Sequence, residues 1–149
     1  MGQSLVQMYI HLTFGTKGRR PLITDKVEER LHAYIAGILK KYDSPALIIN
    51  SVPDHIHILL RLSKNFALAK IVEDVKKDSS KWMKKEGIFD FKWQIGYGAF
   101  SISYYNVDIA INYIKKQKEH HNVKTYKEEI DGYMTGHNIT EYDKKYFWS

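Results

Sequence analysis

Two histidines separated by one residue, His55 and His57, lie in an apolar stretch that is predicted to form a strand. Side chains alternate along a strand, so both imidazoles point to one face of the sheet and Ile56 points to the other. Two imidazoles at this spacing can bind a single divalent cation. The alternative is a pair of half-exposed histidines that are hydrogen-bonded to their neighbours, and the pattern alone leaves both interpretations open.

A tyrosine and a glutamine, Tyr113 and Gln117, are four residues apart in a segment that is predicted to be helical over residues 107–121. Residues four apart share one face of a helix. A phenolic hydroxyl can act as a nucleophile, and an amide oxygen can bind a hard cation such as Mg²⁺ or Mn²⁺. The alternative for Tyr113 is a packed ring with a solvated hydroxyl.

The elements that must position these side chains follow the order strand, helix, strand, strand, helix, strand, and then an extra helix. Strands are predicted over residues 6–14, 46–52, 55–62 and 93–103, and helices over residues 26–42, 67–85 and 107–121. This is the βαββαβ order of the ferredoxin-like fold, an α+β architecture with a four-stranded antiparallel sheet and two helices on one face. We expect a single domain over residues 1–149. Its tail, about 122–149, is predicted to be partly irregular, with a short helix near 126–133.

The composition excludes several kinds of chemistry. The 149 residues include no cysteine, which rules out disulfides, zinc-thiolate sites, iron–sulfur clusters and a thiol nucleophile. No apolar run is long enough for a membrane span, and the start of the chain lacks the regions of a secretory signal, so we expect a cytoplasmic protein. The formal net charge of +6 suits a polyanionic partner.

Three groups of basic residues are candidate contacts to nucleic-acid phosphates. The first lies in the loop after the first strand, the second forms a stripe on one face of the second helix, and the third flanks the tyrosine. They are Lys17, Arg19 and Arg20; Lys70, Lys77, Lys81 and Lys84; and Lys115 and Lys116. The alternative for the stripe is an ordinary solvated helix face.

Four segments of the chain together resemble one protein family. Residues 53–60, Pro-Asp-His-Ile-His-Ile-Leu-Leu, resemble the HUH motif (His, bulky apolar residue, His) of single-tyrosine transposases, and Tyr113 and Gln117 match their Tyr-x-x-x-Gln pattern. Residues 9–17 and 93–101 also resemble that family. The ordered set covers nearly the whole chain, which therefore resembles the TnpA-like transposases of small insertion sequences that move as single-stranded DNA.

This resemblance implies roles for the residues above. His55, His57 and Gln117 would bind one Mg²⁺ or Mn²⁺, and Tyr113 would attack the scissile phosphate, forming a 5′-phosphotyrosine and freeing a 3′-hydroxyl. The substrate would be single-stranded DNA with hairpins that mark the element ends, and the enzyme would be a homodimer. No other residue presents itself in the sequence as a general base for the tyrosine.

Three alternatives stay open. A host-adopted relative would process palindromes without moving an element. A nuclease that uses water would cleave without a protein–DNA adduct, and a non-catalytic domain would only bind hairpins or single strands. The run from Gln117 to His121 favours the insertion-sequence branch.

Overall fold

The sheet is antiparallel throughout, with the strand order β2–β3–β1–β4, in the computed structural model, which describes residues 2–121, 124–140 and 143–149. The strands are β1 (Tyr9–Gly15), β2 (Ala46–Val52), β3 (His55–Arg61) and β4 (Gly98–Ile102). The helices are α1 (Asp25–Lys41), α2 (Leu68–Lys85), α3 (Val107–Lys115), α4 (Gln117–His121), α5 (Tyr126–Gly136) and α6 (Lys144–Phe147). The predicted α+β, ferredoxin-like fold is confirmed.

One face of the sheet packs against α1 and α2. Alternation along the strands places Leu12 and Ile58 on this face, where both are fully buried. Apolar residues that recur every three or four positions give each helix a matching apolar side. From the helices this core receives Leu31, Ile35, Ile71 and Val75. The main apolar core therefore lies on the side of the sheet away from the histidines.

The opposite face of the sheet is covered as well. Strand β3 has six consecutive buried residues, from His55 to Leu60, which is typical of a strand with helices on both faces. Helices α3 and α4 contact β2, and α3 also contacts β3. The polar and histidine side chains of this face, His11, Thr13, His55 and His57, are therefore buried between the sheet and the C-terminal helices.

Strand β4 is shorter than the predicted range of 93–103, since its ladder with β1 covers only Gly98–Ile102. Trp93 forms an isolated bridge, and the next residues leave the sheet. The Lys76 ammonium donates to the carbonyl oxygens of Ile95 (2.8 Å) and Gly96 (3.0 Å). A side chain from α2 thus takes the hydrogen bonds that a continuing strand would use.

The predicted helix over residues 107–121 is interrupted at Lys116, which separates α3 from α4. Asn50 of β2 explains the break, because its Nδ2 donates to the carbonyl oxygens of Ile114 (2.9 Å) and Lys115 (3.2 Å). In a continuous helix these carbonyls would accept from the N–H groups four residues later. A side chain from the sheet therefore ends α3.

The tail contains more helix than predicted. Helix α5 begins at Tyr126 as expected but continues to Gly136, and α6 lies in the part that was expected to be irregular. Thr125 caps α5, because its Oγ1 accepts a hydrogen bond from the N–H of Glu128. In turn, the Glu128 carboxylate accepts a hydrogen bond from the N–H of Thr125. Residues 122, 123, 141 and 142 of the tail lie outside the described residues. Within the described ranges, no helix is long and apolar enough to cross a membrane.

Candidate active site

His55 and His57 project from β3 into the layer between the sheet and the C-terminal helices. Each ring is held by a hydrogen bond to its Nδ1: His55 Nδ1 lies 2.7 Å from Asp54 Oδ1, and His57 Nδ1 lies 2.8 Å from His11 Nε2. Outer partners of this kind fix the orientation of a metal-binding imidazole. Both Nε2 atoms therefore face one small volume on the other side of the rings.

Burial sets the protonation of two of these rings. It lowers the pKa of His11 to about 4 and lowers the pKa of His57 well below its usual value, to which the neighbouring histidines contribute. Both rings are therefore neutral near pH 7, and one of them supplies the N–H of their hydrogen bond. With His57 Nδ1 as this donor, its Nε2 keeps the lone pair that a metal ligand requires.

A glutamate that the sequence analysis did not identify lies at the centre of this volume. Glu129 of α5 has a fully buried side chain, with Oε1 3.2 Å from His55 Nε2 and Oε2 3.4 Å from His57 Nε2. Its Oε2 also accepts hydrogen bonds from the Tyr113 hydroxyl and from Gln117 Nε2, the latter at 2.9 Å. The four predicted catalytic and metal-binding residues are thus gathered around one carboxylate.

Hydrogen bonds keep Glu129 ionised although it is buried. Burial acts to raise the pKa of this carboxyl, but the nearby His55 ring and the hydrogen bonds from Tyr113 and Gln117 outweigh it, and the pKa falls. For His55, burial acts to lower the pKa, but the hydrogen bond to Asp54 and the neighbouring Glu129 carboxylate raise it. Burial and then the bond to Glu129 raise the pKa of Tyr113, so the phenol carries its proton near neutral pH.

Tyr113 and Gln117 still share one face although the helix is interrupted between them. The chain returns to helical geometry one residue after the break, so Gln117 begins α4. Gln117 is fully buried, and its Oε1 lies 3.3 Å from His55 Nε2. The Tyr113 ring stacks on His120 with the ring centroids 4.5 Å apart. The four-residue spacing therefore brings both side chains to the histidines.

Helix α5 is anchored to the sheet beside the histidines. The buried Tyr126 stacks on His55 with the ring centroids 4.0 Å apart, and its hydroxyl lies 2.9 Å from Thr13 Oγ1. Tyr126, Glu129 and Tyr133 occupy positions i, i+3 and i+7, which lie on one face of a helix. The anchor at Tyr126 thus brings Glu129 to the histidines one turn later.

The donor set at this site fits a divalent cation. His55, His57 and Glu129 offer ligand atoms that all lie within 4.8 Å of one another. His57 Nε2 and Glu129 Oε1 are buried, and neither forms a hydrogen bond within the described part of the chain. Buried polar atoms that lack a hydrogen bond are unfavourable, and a bound cation would satisfy both. Carboxylate oxygens are suitable ligands for Mg²⁺ and Mn²⁺, and imidazole is a common ligand of divalent transition-metal cations.

A cleft of about 410 Å³ opens beside Tyr113. Its lining is mostly apolar and includes Ile109, Tyr133 and the rings of His11 and His137. The Tyr113 side chain is half-buried, whereas the histidines behind it are fully buried. The cleft is therefore a path by which a ligand can reach the phenol.

The basic residues predicted to contact phosphates are all exposed, but they lie on different parts of the surface. Lys115 and Lys116 lie two and three residues after Tyr113. The stripe on α2 lies beyond the main core, on the other side of the sheet from the histidines. Arg20 pairs with Asp90 at 2.5 Å, and Lys70 and Lys77 lie 3.4 and 3.9 Å from Asp74.

A groove of about 490 Å³ lies between the loop after β1 and helix α2, and it is lined by basic residues from both. Lys17 and Lys77 line this groove together with Lys76, and Trp93 and Tyr97 contribute aromatic surface. Burial lowers the pKa of Lys76 to about 8. The groove is therefore basic and partly aromatic.

Replacing Asn50 tests how the sheet positions the tyrosine helix. We expect Asn50→Ala to lower the free energy of unfolding by about 1–3 kcal/mol, because two carbonyls at the end of α3 lose their donor. Urea denaturation measures the change, and Asn65→Ala, at an exposed position, is the matched control. Equal stability of the two variants would show that Asn50 does not hold α3 in place.

Comparison with known proteins identifies the family. The family model described as "Transposase IS200 like" matches residues 4–117, and no curated protein matches the chain. A candidate transposase from Deinococcus radiodurans R1 has a similar solved structure, with 20% identity and a TM-score of 0.64, over 78% of this chain and 96% of that chain. A REP-associated tyrosine transposase bound to a REP hairpin is 15% identical with a TM-score of 0.61, over 81% of this chain and 73% of that chain.

The two solved structures show the fold, and the family model carries the identification. Its match spans most of the chain and includes His55, His57, Tyr113 and Gln117, while Glu129 lies beyond its end. The chain therefore belongs to the IS200-like transposase family, and its function is that of a DNA transposase.

Proposed function

We propose that this transposase cuts and rejoins single-stranded DNA through a covalent bond between Tyr113 and a 5′-phosphate, at element ends marked by hairpins. The observation that supports the proposal is the position of the Tyr113 hydroxyl. It donates to Glu129, the carboxylate that also contacts His55 and His57. A nucleophile beside a cation site is the arrangement that metal-assisted phosphoryl transfer requires.

In cleavage, the phenolic oxygen of Tyr113 forms a bond to the scissile phosphorus, and the bond from phosphorus to the preceding 3′-oxygen breaks. The phenolic proton passes to water as this bond forms, and the 3′-oxygen takes up a proton from water and leaves as a hydroxyl, while the 5′-phosphate stays on the tyrosine. Because a phosphoester bond to tyrosine replaces the phosphoester bond that breaks, a 3′-hydroxyl from another strand can reverse the reaction without ATP. Before attack, the hydrogen bond to Glu129 Oε2 holds the phenolic proton and orients the oxygen.

His55 and His57 would hold a divalent cation through their Nε2 atoms, and Gln117 would add its Oε1. A bound Mg²⁺ or Mn²⁺ would act as a Lewis acid on the scissile phosphate and hold it in position. Asp54 and His11 keep the two rings in place from behind. These hydrogen bonds orient the ligands before any cation binds, which favours a precise site.

The basic residues would bind the DNA backbone. Lys115 and Lys116 flank the nucleophile, so they would contact phosphates near the cleavage point. Cationic walls and aromatic faces suit a single strand, and the groove with Lys17 and Lys77 has both. The remaining candidates would extend this basic surface; they are Arg19, Arg20, Lys70, Lys81 and Lys84.

The proposed enzyme is a cytoplasmic homodimer. Strand β4 is an edge of the described sheet, and Ile109 of the nearby α3 is an exposed apolar residue, with 68% of its surface accessible. An open edge and exposed apolar side chains favour self-association. Sedimentation equilibrium should give twice the mass of one chain, and a monomer at micromolar concentration would contradict this assembly.

The covalent step is tested with single strands of the DNA that flanks the gene, incubated with Mg²⁺ or Mn²⁺ and separated on a denaturing gel. A strand labelled at its 3′ end should give a labelled protein–DNA adduct. The same strand labelled at its 5′ end should give a free fragment that ends in a 3′-hydroxyl. Addition of EDTA should abolish both products.

Three outcomes would overturn the proposal. Cleavage without an adduct would indicate a nuclease that uses water. An adduct that carries the 5′ label would indicate the opposite polarity of attack. Binding of hairpins with no cleavage in either metal would indicate a binding domain without this chemistry.

A further inference from the structure

We propose that Glu129 is a ligand of the divalent cation, in addition to His55, His57 and Gln117, and that cation binding therefore fastens α5 across the active site. This inference rests on the metal-dependent chemistry proposed above and adds a residue beyond the end of the family match at residue 117. It assigns a metal-binding role to the C-terminal part of the chain.

The position of the carboxylate carries the inference. Glu129 Oε1 lies 3.2 Å from His55 Nε2, and Oε2 lies 3.4 Å from His57 Nε2, so the two oxygens face the two ring nitrogens that point away from the sheet. Oε1 is buried and forms no hydrogen bond among the described residues, and the same is true of His57 Nε2. A cation between these atoms would be bound both by His57 of the sheet and by Glu129 of α5, and would thus link the two elements.

The charge of the site also favours a bound cation beside Glu129. Among the described residues, no lysine or arginine forms an ion pair with Glu129. Its neighbours are the ring nitrogens of His55 and His57 and two uncharged hydrogen-bond donors, the Tyr113 hydroxyl and the Gln117 amide. A buried carboxylate is unfavourable unless a cation or several hydrogen bonds compensate it. A divalent cation would supply the missing positive charge, and one carboxylate would still leave a net charge of +1 to attract a phosphate.

The ligand count is also suitable. Mg²⁺ and Mn²⁺ favour six ligands, mostly oxygen. Two imidazoles, one carboxylate and one amide are four protein groups, so positions remain for phosphate oxygens or water. A carboxylate is a stronger ligand for these hard cations than the neutral amide of Gln117, and its loss should weaken binding more than the loss of an outer partner.

The sequence of α5 keeps Glu129 in this position. Thr125 fixes the start of the helix through its capping box, and Tyr126 fixes the first turn through its stacking on His55 and its bond to Thr13. Ile130, also buried, packs the same turn. Glu129 is therefore supplied by a helix that is already docked, and the cation would add a further link between helix and sheet.

The test is Mn²⁺ binding to the purified protein, measured by the loss of the electron paramagnetic resonance signal of free Mn²⁺. We compare wild type, Glu129→Gln and Glu119→Gln. Glu119 is an exposed residue of α4, so its variant has the same loss of charge away from the site. We expect Glu129→Gln to weaken Mn²⁺ binding at least about tenfold and Glu119→Gln to leave it unchanged.

A second measurement needs no variant. Amide hydrogen exchange of residues 126–136 in the wild-type protein should slow when Mn²⁺ is added, because binding to the native site raises the free energy of opening α5. Circular dichroism establishes that Glu129→Gln is folded. If Glu129 were only a structural hydrogen-bond acceptor, Glu129→Gln would change the stability of the protein but not its affinity for Mn²⁺.

The outcomes separate this inference from the proposed function. If wild type and Glu129→Gln bind Mn²⁺ equally, or if exchange in α5 does not respond to Mn²⁺ that is bound, Glu129 is not a ligand, and the roles of Tyr113 and the histidines stand. If wild type binds no Mn²⁺, the metal-dependent function falls and this inference with it. Weaker binding in Glu129→Gln together with slower exchange in wild type supports the inference.

Discussion

Replacing Tyr113 by phenylalanine should abolish the covalent protein–DNA adduct and reduce strand cleavage at least about ten-thousandfold. The change removes only the phenolic oxygen, which is the atom that would bond to phosphorus. The ring keeps its stacking on His120, and Glu129 keeps its hydrogen bond from Gln117. We therefore expect a loss of unfolding free energy of only about 1 kcal/mol from the missing hydrogen bond. Adduct yield on a denaturing gel and urea denaturation measure the two effects.

The matched control is Tyr34→Phe, which removes a hydroxyl from α1, where the ring stacks on Trp82 on the far side of the sheet. This variant should form the adduct as wild type does. An adduct that persists in Tyr113→Phe would mean that another residue is the nucleophile. Undiminished cleavage without an adduct would mean that water attacks the phosphate directly.

The second large effect concerns His57. We expect His57→Ala to eliminate measurable Mn²⁺ binding and to reduce adduct formation at least about a thousandfold, because the variant loses a ligand from the centre of the site. It also leaves His11 Nε2 without its present partner in a buried position. The free energy of unfolding should therefore fall by about 1–3 kcal/mol. Mn²⁺ titration, the gel assay and urea denaturation report these three quantities separately.

The comparison variant for this experiment is His32→Ala. His32 lies on α1 and bonds to Ser51 Oγ at 2.8 Å, outside the cluster around Glu129. Its loss should affect stability modestly and leave both Mn²⁺ binding and the adduct intact. Wild-type adduct formation that continues in excess EDTA, or full Mn²⁺ affinity in His57→Ala, would contradict a catalytic role for a cation at these histidines.

The part of the site that is local in sequence could be predicted. Alternation along β3 places His55 and His57 on one face, and helical spacing places Gln117 with Tyr113; both follow from the period of one element. The structure brings the four side chains together as these patterns indicate. Their shared position is consistent with the resemblance, while their catalytic and metal-binding roles stay predictions until the variants are measured.

Glu129 could not be predicted in the same way. It lies in a tail of Lys, Glu and Tyr residues, where a glutamate at position 129 has no feature that separates it from the exposed Glu128 beside it. What distinguishes them is the sheet: Tyr126 docks on His55 and Thr13, Ile130 packs in the next turn, and these contacts decide which face of α5 is buried. The capping box at Thr125 does mark the start of the helix, but it does not indicate where the helix docks.

The boundaries that differ from prediction have a similar cause. Asn50 ends α3, and Lys76 draws Ile95 and Gly96 out of the strand, each through hydrogen bonds between residues far apart in the chain. Secondary-structure propensity depends on residues that are close in sequence, so it cannot predict such partners. The βαββαβ order depends less on such long-range contacts, because it is defined by apolar patterns that extend over whole elements.

The active site consists of two parts that are held in different ways, one on the buried strand β3 and one on the helices that cover it. His55 and His57 lie on a strand that is paired on both sides, by β1 and β2, so they cannot separate unless the sheet itself opens. Tyr113 and Glu129 lie on helices that rest on one face of that sheet and can move without disturbing a strand. The two histidine ligands thus keep their relative position in every partly opened state that keeps the sheet. The helices, which carry the nucleophile and the proposed ligands Gln117 and Glu129, determine how often the whole site is assembled.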